Sequence, residues 1–141
     1  MAEIIYQYPS RTADNRESSS IRWLEHNDLH VFNAHLEACG QRPISDALWT
    51  SIWEEGTVYC GLFVDGHMVA RACVEKYSER KWEVADVRTV NCFRNRGFAF
   101  QVSHFVLQYI LSQHKEATIR TEADNLAMQK VIARLGFTQI P

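Results

Sequence analysis

The apolar positions change period several times along the chain, and each change marks an element. Residues 82–89 alternate and carry valines, which reads as a strand. From Phe98 the apolar series Phe98, Val102, Phe105, Val106, Tyr109 and Ile110 follows helical spacing, predicting a helix over 98–113. Between the two lies a polar, basic turn, residues 91–96. Upstream, residues 3–8 read as a short strand ended by Pro9, residues 10–20 as a polar connection, and residues 21–24 as a second strand. Asn27 or Asp28 can cap a helix carrying Leu29, Phe32 and Leu36, with Gly40 as its stop. Ser45 can cap another, with Leu48, Trp49, Ile52 and Trp53 on one side and Gly56 after it.

A hairpin follows. Residues 58–64 alternate, Asp65-Gly66 is a type I′ turn signal, and residues 67–77 continue as a strand. The polar set 78–81 turns the chain into 82–90, giving three antiparallel strands in series. Beyond the long helix, residues 117–122 form a further strand, which the crossover rule places parallel to 82–90. Asp124 can cap a last helix with Met128, Val131, Ile132 and Leu135 on one face and Gly136 after it. Residues 137–141 are a short end. The element order is mixed α/β (α+β-like) and not a repeating βαβ array.

Composition narrows the field. The chain has 141 residues, 46% of them hydrophobic, which fits one globular domain. Its formal net charge of −2 argues against a general nucleic-acid binder, so the positive charge at Arg94 and Arg96 is local. Cys39, Cys60, Cys73 and Cys92 show neither a disulfide framework nor zinc spacing. His26, His30 and His35 lie close together with no third ligand evident, so no metal is expected. No apolar run is long enough to span a membrane, and residues 1–10 carry no leader pattern. The expectation is a cytoplasmic protein.

The basic turn carries the chemistry. The first N–H groups of a helix have no intrahelical partner, and the helix dipole is positive there. Gly97 leaves room for a close approach, Ala99 is small, and Arg94 and Arg96 add charge. These features suit an anion, with phosphate the natural guest. A basic loop before an ordinary amphipathic helix has the same composition.

The stretch Arg94-x-x-Gly97-x-Ala99 after a strand resembles the acyl-CoA signature of the GNAT (GCN5-related) N-acetyltransferase superfamily, Arg/Gln-x-x-Gly-x-Gly/Ala. Val87-x-Thr89 and Phe93 match one branch of it, although Val90 and Asn91 replace that branch's two prolines. Asn125 followed by Leu135-Gly136-Phe137 is similar to a second family segment. The resemblance covers most of residues 18–140 and implies a single GNAT domain over 1–141, with 1–17 as an extension. The implied fold is a mostly antiparallel sheet with one splayed parallel strand pair, flanked by helices.

The resemblance also implies an activity: transfer of an acetyl group from acetyl-CoA directly to a primary amine, in a small molecule or a protein. A weak or inactive acyl-CoA binding module is the alternative. Residues 94–99 (Arg94, Asn95, Arg96, Gly97, Phe98, Ala99) would hold the pyrophosphate, and Val87 and Thr89 would pair through their backbone with the pantetheine arm. Asn125 matches a cofactor-contacting asparagine, or it bonds its own backbone at a helix start. Glu83 matches a general base used in some branches, with Asp86 the second candidate, on the opposite face by period-two alternation. Trp49 and Trp53 either pack the core or form an aromatic wall for the acceptor.

The family's usual acid, a tyrosine, is replaced by Ile132. Past Gly136-Phe137 the family normally adds two strands, and here there is room for one short strand. Residues 3–8 are therefore expected to pair with the open sheet edge, in the same subunit or in a homodimer partner.

Overall fold

The computed structural model describes residues 2–9 and 20–140. The polar connection expected over 10–20 lies outside them except for Ser20. The strands are β1 (Glu3–Gln7), β2 (Ile21–Trp23), β3 (Val58–Val64), β4 (His67–Glu75), β5 (Lys81–Thr89), β6 (Glu116–Glu122) and β7 (Thr138–Gln139). The helices are α1 (Leu29–Ala38), α2 (Asp46–Glu54), α3 (Phe98–Ser112) and α4 (Leu126–Leu135). One sheet runs β2-β3-β4-β5-β6-β1-β7. All its pairs are antiparallel except β5–β6, the pair joined through α3. The mixed α/β architecture with one parallel pair is the one the element order predicted.

Each sheet face buries its own core. Val102, Val106 and Ile110 of α3 and Ile132 of α4 pack on Ala70, Ala72, Val74, Val84 and Ile119. On the other face Phe32 and Leu36 of α1 and Trp49 of α2 close over Tyr59, Met68 and Cys73. Period-two alternation sends consecutive side chains of β3 and β4 to these two cores in turn, except at a bulge where Val69 and Ala70 of β4 both enter the first core.

β1 lies between β6 and β7, pairing Glu3–Gln7 with Thr118–Glu122 and also Tyr6 and Gln7 with Gln139 and Thr138. The N-terminal segment thus covers the sheet edge within its own chain. Tyr8 adds an edge-to-face contact with Phe137, with ring centroids 5.6 Å apart.

Three local expectations change. The cap of α4 is Asn125 rather than Asp124, with its Oδ1 accepting from the Met128 N–H at 3.1 Å. Asp28 is the N-cap residue of α1, but its side chain makes no cap hydrogen bond to that helix. Its carboxylate accepts from Arg22 and from the Glu25 N–H, closing a 3-10 turn over His26–Asp28. The third change concerns Asp86. β5 carries a bulge, because Cys73 faces Ala85 while Arg71 faces Arg88, so Ala72 stands opposite both Asp86 and Val87. Asp86 takes φ +49°. Its side chain therefore lies on the same face as Glu83, bonded to Tyr59 and Arg71, and not on the opposite face.

Candidate acyl-CoA site

The parallel pairing of β5 with β6 runs from Lys81–Glu116 to Val84–Ile119 and stops. Beyond Val84 the two strands are no longer hydrogen-bonded. The backbone of the β5 half from Val87 to Thr89 faces a gap on that side, and a cavity of about 450 Å³ opens there. Val87, Thr89, Arg94, Asn95, Gly97, Phe98, Ala99 and Asn125 all line it. The switch from strand to helix brings all of these but Asn125 together: β5 leads into the turn, the turn feeds the N-terminus of α3, and Asn125 comes from the start of α4. Gly97 is the N-cap residue with φ +81°, a left-handed backbone that glycine adopts freely. A Cβ built there would meet no atom within 4 Å, so the backbone at this point borders open space. Arg94 braces the turn, its Nε donating to the Thr89 carbonyl at 3.4 Å.

Sequence reasoning missed part of the wall. Met128, Lys130, Val131 and Arg134 of α4 complete it, and Arg134 stacks on Phe100 at 4.2 Å. Helical spacing from Asn125 was the available signal, since 128, 131 and 134 recur every three residues along the helix that Asn125 begins. The cavity thus joins apolar surface (Val87, Phe98, Met128, Val131) to a cationic set (Arg94, Lys130, Arg134) at a helix N-terminus. Arg96 is not part of the lining. It is exposed and lies over the Phe93 ring at 5.2 Å. Asn125 caps α4 through Oδ1 and also borders the cavity.

The carboxylates stand on the face away from α3. Glu83 is buried, and Arg120 Nε lies 3.0 and 2.9 Å from its two oxygens. The Thr118 hydroxyl donates to it at 3.1 Å and is itself 2.9 Å from the Tyr77 hydroxyl. Asp86 accepts from Tyr59 at 2.5 Å and from Arg71 at 3.0 and 3.2 Å. Glu75, opposite Glu83 in the β4–β5 ladder, was not singled out from the sequence. Its carboxyl is raised above the usual range by desolvation and then by the neighbouring Glu83 and Asp86 charges.

The two tryptophans separate. Trp49 is 1% exposed, its indole N–H donating to the His26 carbonyl at 2.8 Å, so it packs the core and leaves no ring face for an acceptor. Trp53 is half-buried and meets Trp49 edge-on, with centroids 6.0 Å apart. Ile132, where the resemblance implies a tyrosine, is fully buried in the core. Among the described residues no cluster of His, Cys, Asp or Glu could hold a metal ion, and no helix is long and apolar enough to cross a membrane.

Comparison with known proteins agrees with this fold. The family model described as "Acetyltransferase (GNAT) family" matches residues 16–137. No curated protein matches the sequence. A GNAT-family protein from Novosphingobium aromaticivorans superposes with a TM-score of 0.80 at 19% identity, over 98% of this chain and 59% of its own. A GNAT-family acetyltransferase from Colwellia psychrerythraea gives 0.77 at 21% identity, over 97% of this chain and 52% of its own. The chain therefore spans between half and three-fifths of those two structures. AAC(6')-Iy, solved with the bisubstrate analogue CoA-S-monomethyl-acetylneamine, gives 0.69 at 21% identity, over 84% of this chain and 89% of its own. At these identities the three structures speak for the fold. With the family model covering most of the chain, the protein belongs to the GNAT acetyltransferase family.

Proposed function

We propose that the protein is an N-acetyltransferase that moves an acetyl group from acetyl-CoA directly to a primary amine. The observation that carries this is the cavity between the parted strands, which ends at a helix N-terminus. Its residues fit acetyl-CoA. The free N–H groups at the start of α3, the open Gly97 and the cations Arg94, Lys130 and Arg134 suit a diphosphate. The unpaired β5 backbone at Val87 and Thr89 suits an arm that bonds like an added strand. The β5 bulge interrupts the ladder beside Val87 and leaves a backbone N–H to polarise a carbonyl.

Acetyl-CoA supplies an activated thioester. The chain's own part is to orient it, to exclude water with the apolar wall, and to take a proton from the acceptor. An amine is protonated at neutral pH and attacks only once that proton is gone. Glu83, Asp86 and Glu75 share the sheet face away from α3, and the acceptor is taken to approach on that face. AAC(6')-Iy, which has a similar fold, is solved in complex with the bisubstrate analogue CoA-S-monomethyl-acetylneamine, which supports this reading. One observation favours a second reading, a binding module of weak activity: Ile132 gives no hydroxyl to protonate the leaving sulfur.

The test is thiol release from acetyl-CoA with lysine, spermidine, kanamycin and a peptide with a free N-terminal alanine. Amine-dependent release with matching N-acetyl product supports transfer. Binding of acetyl-CoA without release for any amine supports the second reading.

A further inference from the structure

Three carboxylates share the sheet face beside the bulge, and two of them are already occupied. Arg71 and Tyr59 hold Asp86. Arg120 and Thr118 hold Glu83. The Glu83 ties cross from β5 to β6 at Glu83–Thr118, one residue before the last paired position, Val84–Ile119. They sit where the two strands begin to part, the point that sets the width of the cofactor gap.

Glu75 is different. It stands directly across from Glu83 in the ladder, and among the described residues it makes no hydrogen bond or ion pair. Like charges placed opposite each other across a ladder destabilise a sheet. With an exposed side chain and no partner among the described residues, Glu75 is open to an incoming amine.

We propose that Glu75, rather than Glu83, accepts the proton of the acceptor amine, and that Glu83 is a positioning residue pinning the point where β5 and β6 separate. This rests on the acyl-transfer reading above. The electrostatics agree with the geometry. The groups acting on Glu75 are Glu83 and Asp86 of β5, Glu55 after α2 and Arg120 of β6. Among the described residues Arg120 opposes the rise that desolvation begins. A carboxylate with a raised pKa is the stronger base near neutral pH.

In the step, the Glu75 carboxylate takes one proton from the acceptor's ammonium group. The freed lone pair forms the C–N bond and the C–S bond breaks. The sulfur leaves with the bonding electron pair and takes up the second amine proton, giving the N-acetyl product and free thiol. Glu75 then returns its proton to water.

The experiment compares wild type, Glu75→Gln and Glu83→Gln. It follows thiol release with the four amines across pH, acetyl-CoA binding by calorimetry, and thermal unfolding. Glu75→Gln should lower kcat about a hundredfold, the low end of what a general base supplies. It should also remove the acidic limb of the kcat/KM profile, leave acetyl-CoA affinity unchanged and raise the melting temperature. Glu83→Gln should keep that limb, weaken acetyl-CoA binding several-fold and lower the melting temperature. Equal turnover in wild type and Glu75→Gln overturns the role of Glu75 alone, as does loss of the limb in Glu83→Gln with binding intact. A wild type that binds acetyl-CoA but acetylates none of the amines overturns the acyl-transfer reading and this role with it. A carbon-13 titration of the carboxyls gives a readout independent of turnover: Glu75 should titrate above an ordinary glutamate, and titration at or below that value contradicts the role.

Discussion

Arg120 Nε lies 3.0 and 2.9 Å from the two carboxylate oxygens of Glu83, one residue before β5 and β6 lose their last paired position. The carboxylate is 7% exposed and the guanidinium 38%. Removing the cation leaves a buried charge with only the Thr118 hydroxyl to hold it. Breaking a fully buried pair costs about 3–5 kcal/mol, and the exposure of Arg120 reduces this. Arg120→Met should therefore cost about 2 kcal/mol in urea unfolding. A double-mutant cycle with Glu83→Gln should show coupling, and additive single effects would show that the pair does not hold the strands.

The N-terminal strand gives a larger effect. β1 is an interior strand, paired on one side with β6 over Glu3–Gln7 and on the other with β7. Removing residues 1–9 exposes the edge of β6, strips β7 of its partner and uncovers Phe137. The melting temperature should fall by on the order of 10 °C or more, given how few kcal/mol separate a domain from unfolding. An unchanged melting temperature would mean that β1 adds nothing to the sheet.

His35 predicts a pH dependence. It is 1% exposed, its Nδ1 is 3.1 Å from the Met68 carbonyl, and burial pushes its imidazole down to about 4 from 6.5. The folded state therefore binds the proton less readily than the unfolded state. The stability His35 contributes is fully present above pH 6.5 and is lost as pH falls toward 4. The loss is about 3 kcal/mol at most over that window. His35→Gln should flatten the stability profile between those values, and an equally steep profile in the variant would assign the dependence to other groups.

The strand-turn-helix stretch was legible because its signal is local. The period changes from two to 3.6 across a basic turn, and Gly97 must be a glycine-like position there. The pairing of β1 within the chain was legible only as a need, an edge requiring cover. Asp86 was misplaced because period-two counting assumes an unbroken ladder, and one bulge residue reverses every face assignment after it. Trp49 and Trp53 lie one turn apart on the same helix, so spacing gave them one face. What separates them is the bond from Trp49 to the His26 carbonyl, a contact between distant residues. Glu75 escaped notice for the same reason. A lone glutamate near a strand end has no signature until the register sets it opposite Glu83 and the arginines are seen to serve other carboxylates.

On the reading proposed above, the parted strands and the turn before α3 form an acyl-CoA site. Calorimetric titration with acetyl-CoA, of the wild type beside Gly97→Glu, tests it most directly. The substitution sets a side chain, and a negative charge, at a left-handed position bordering the cavity. Binding at about micromolar strength, equivalent to roughly 8 kcal/mol, is expected for the wild type, and no measurable binding for a folded Gly97→Glu. Absence of binding in the wild type, or equal binding in both proteins, would contradict that reading.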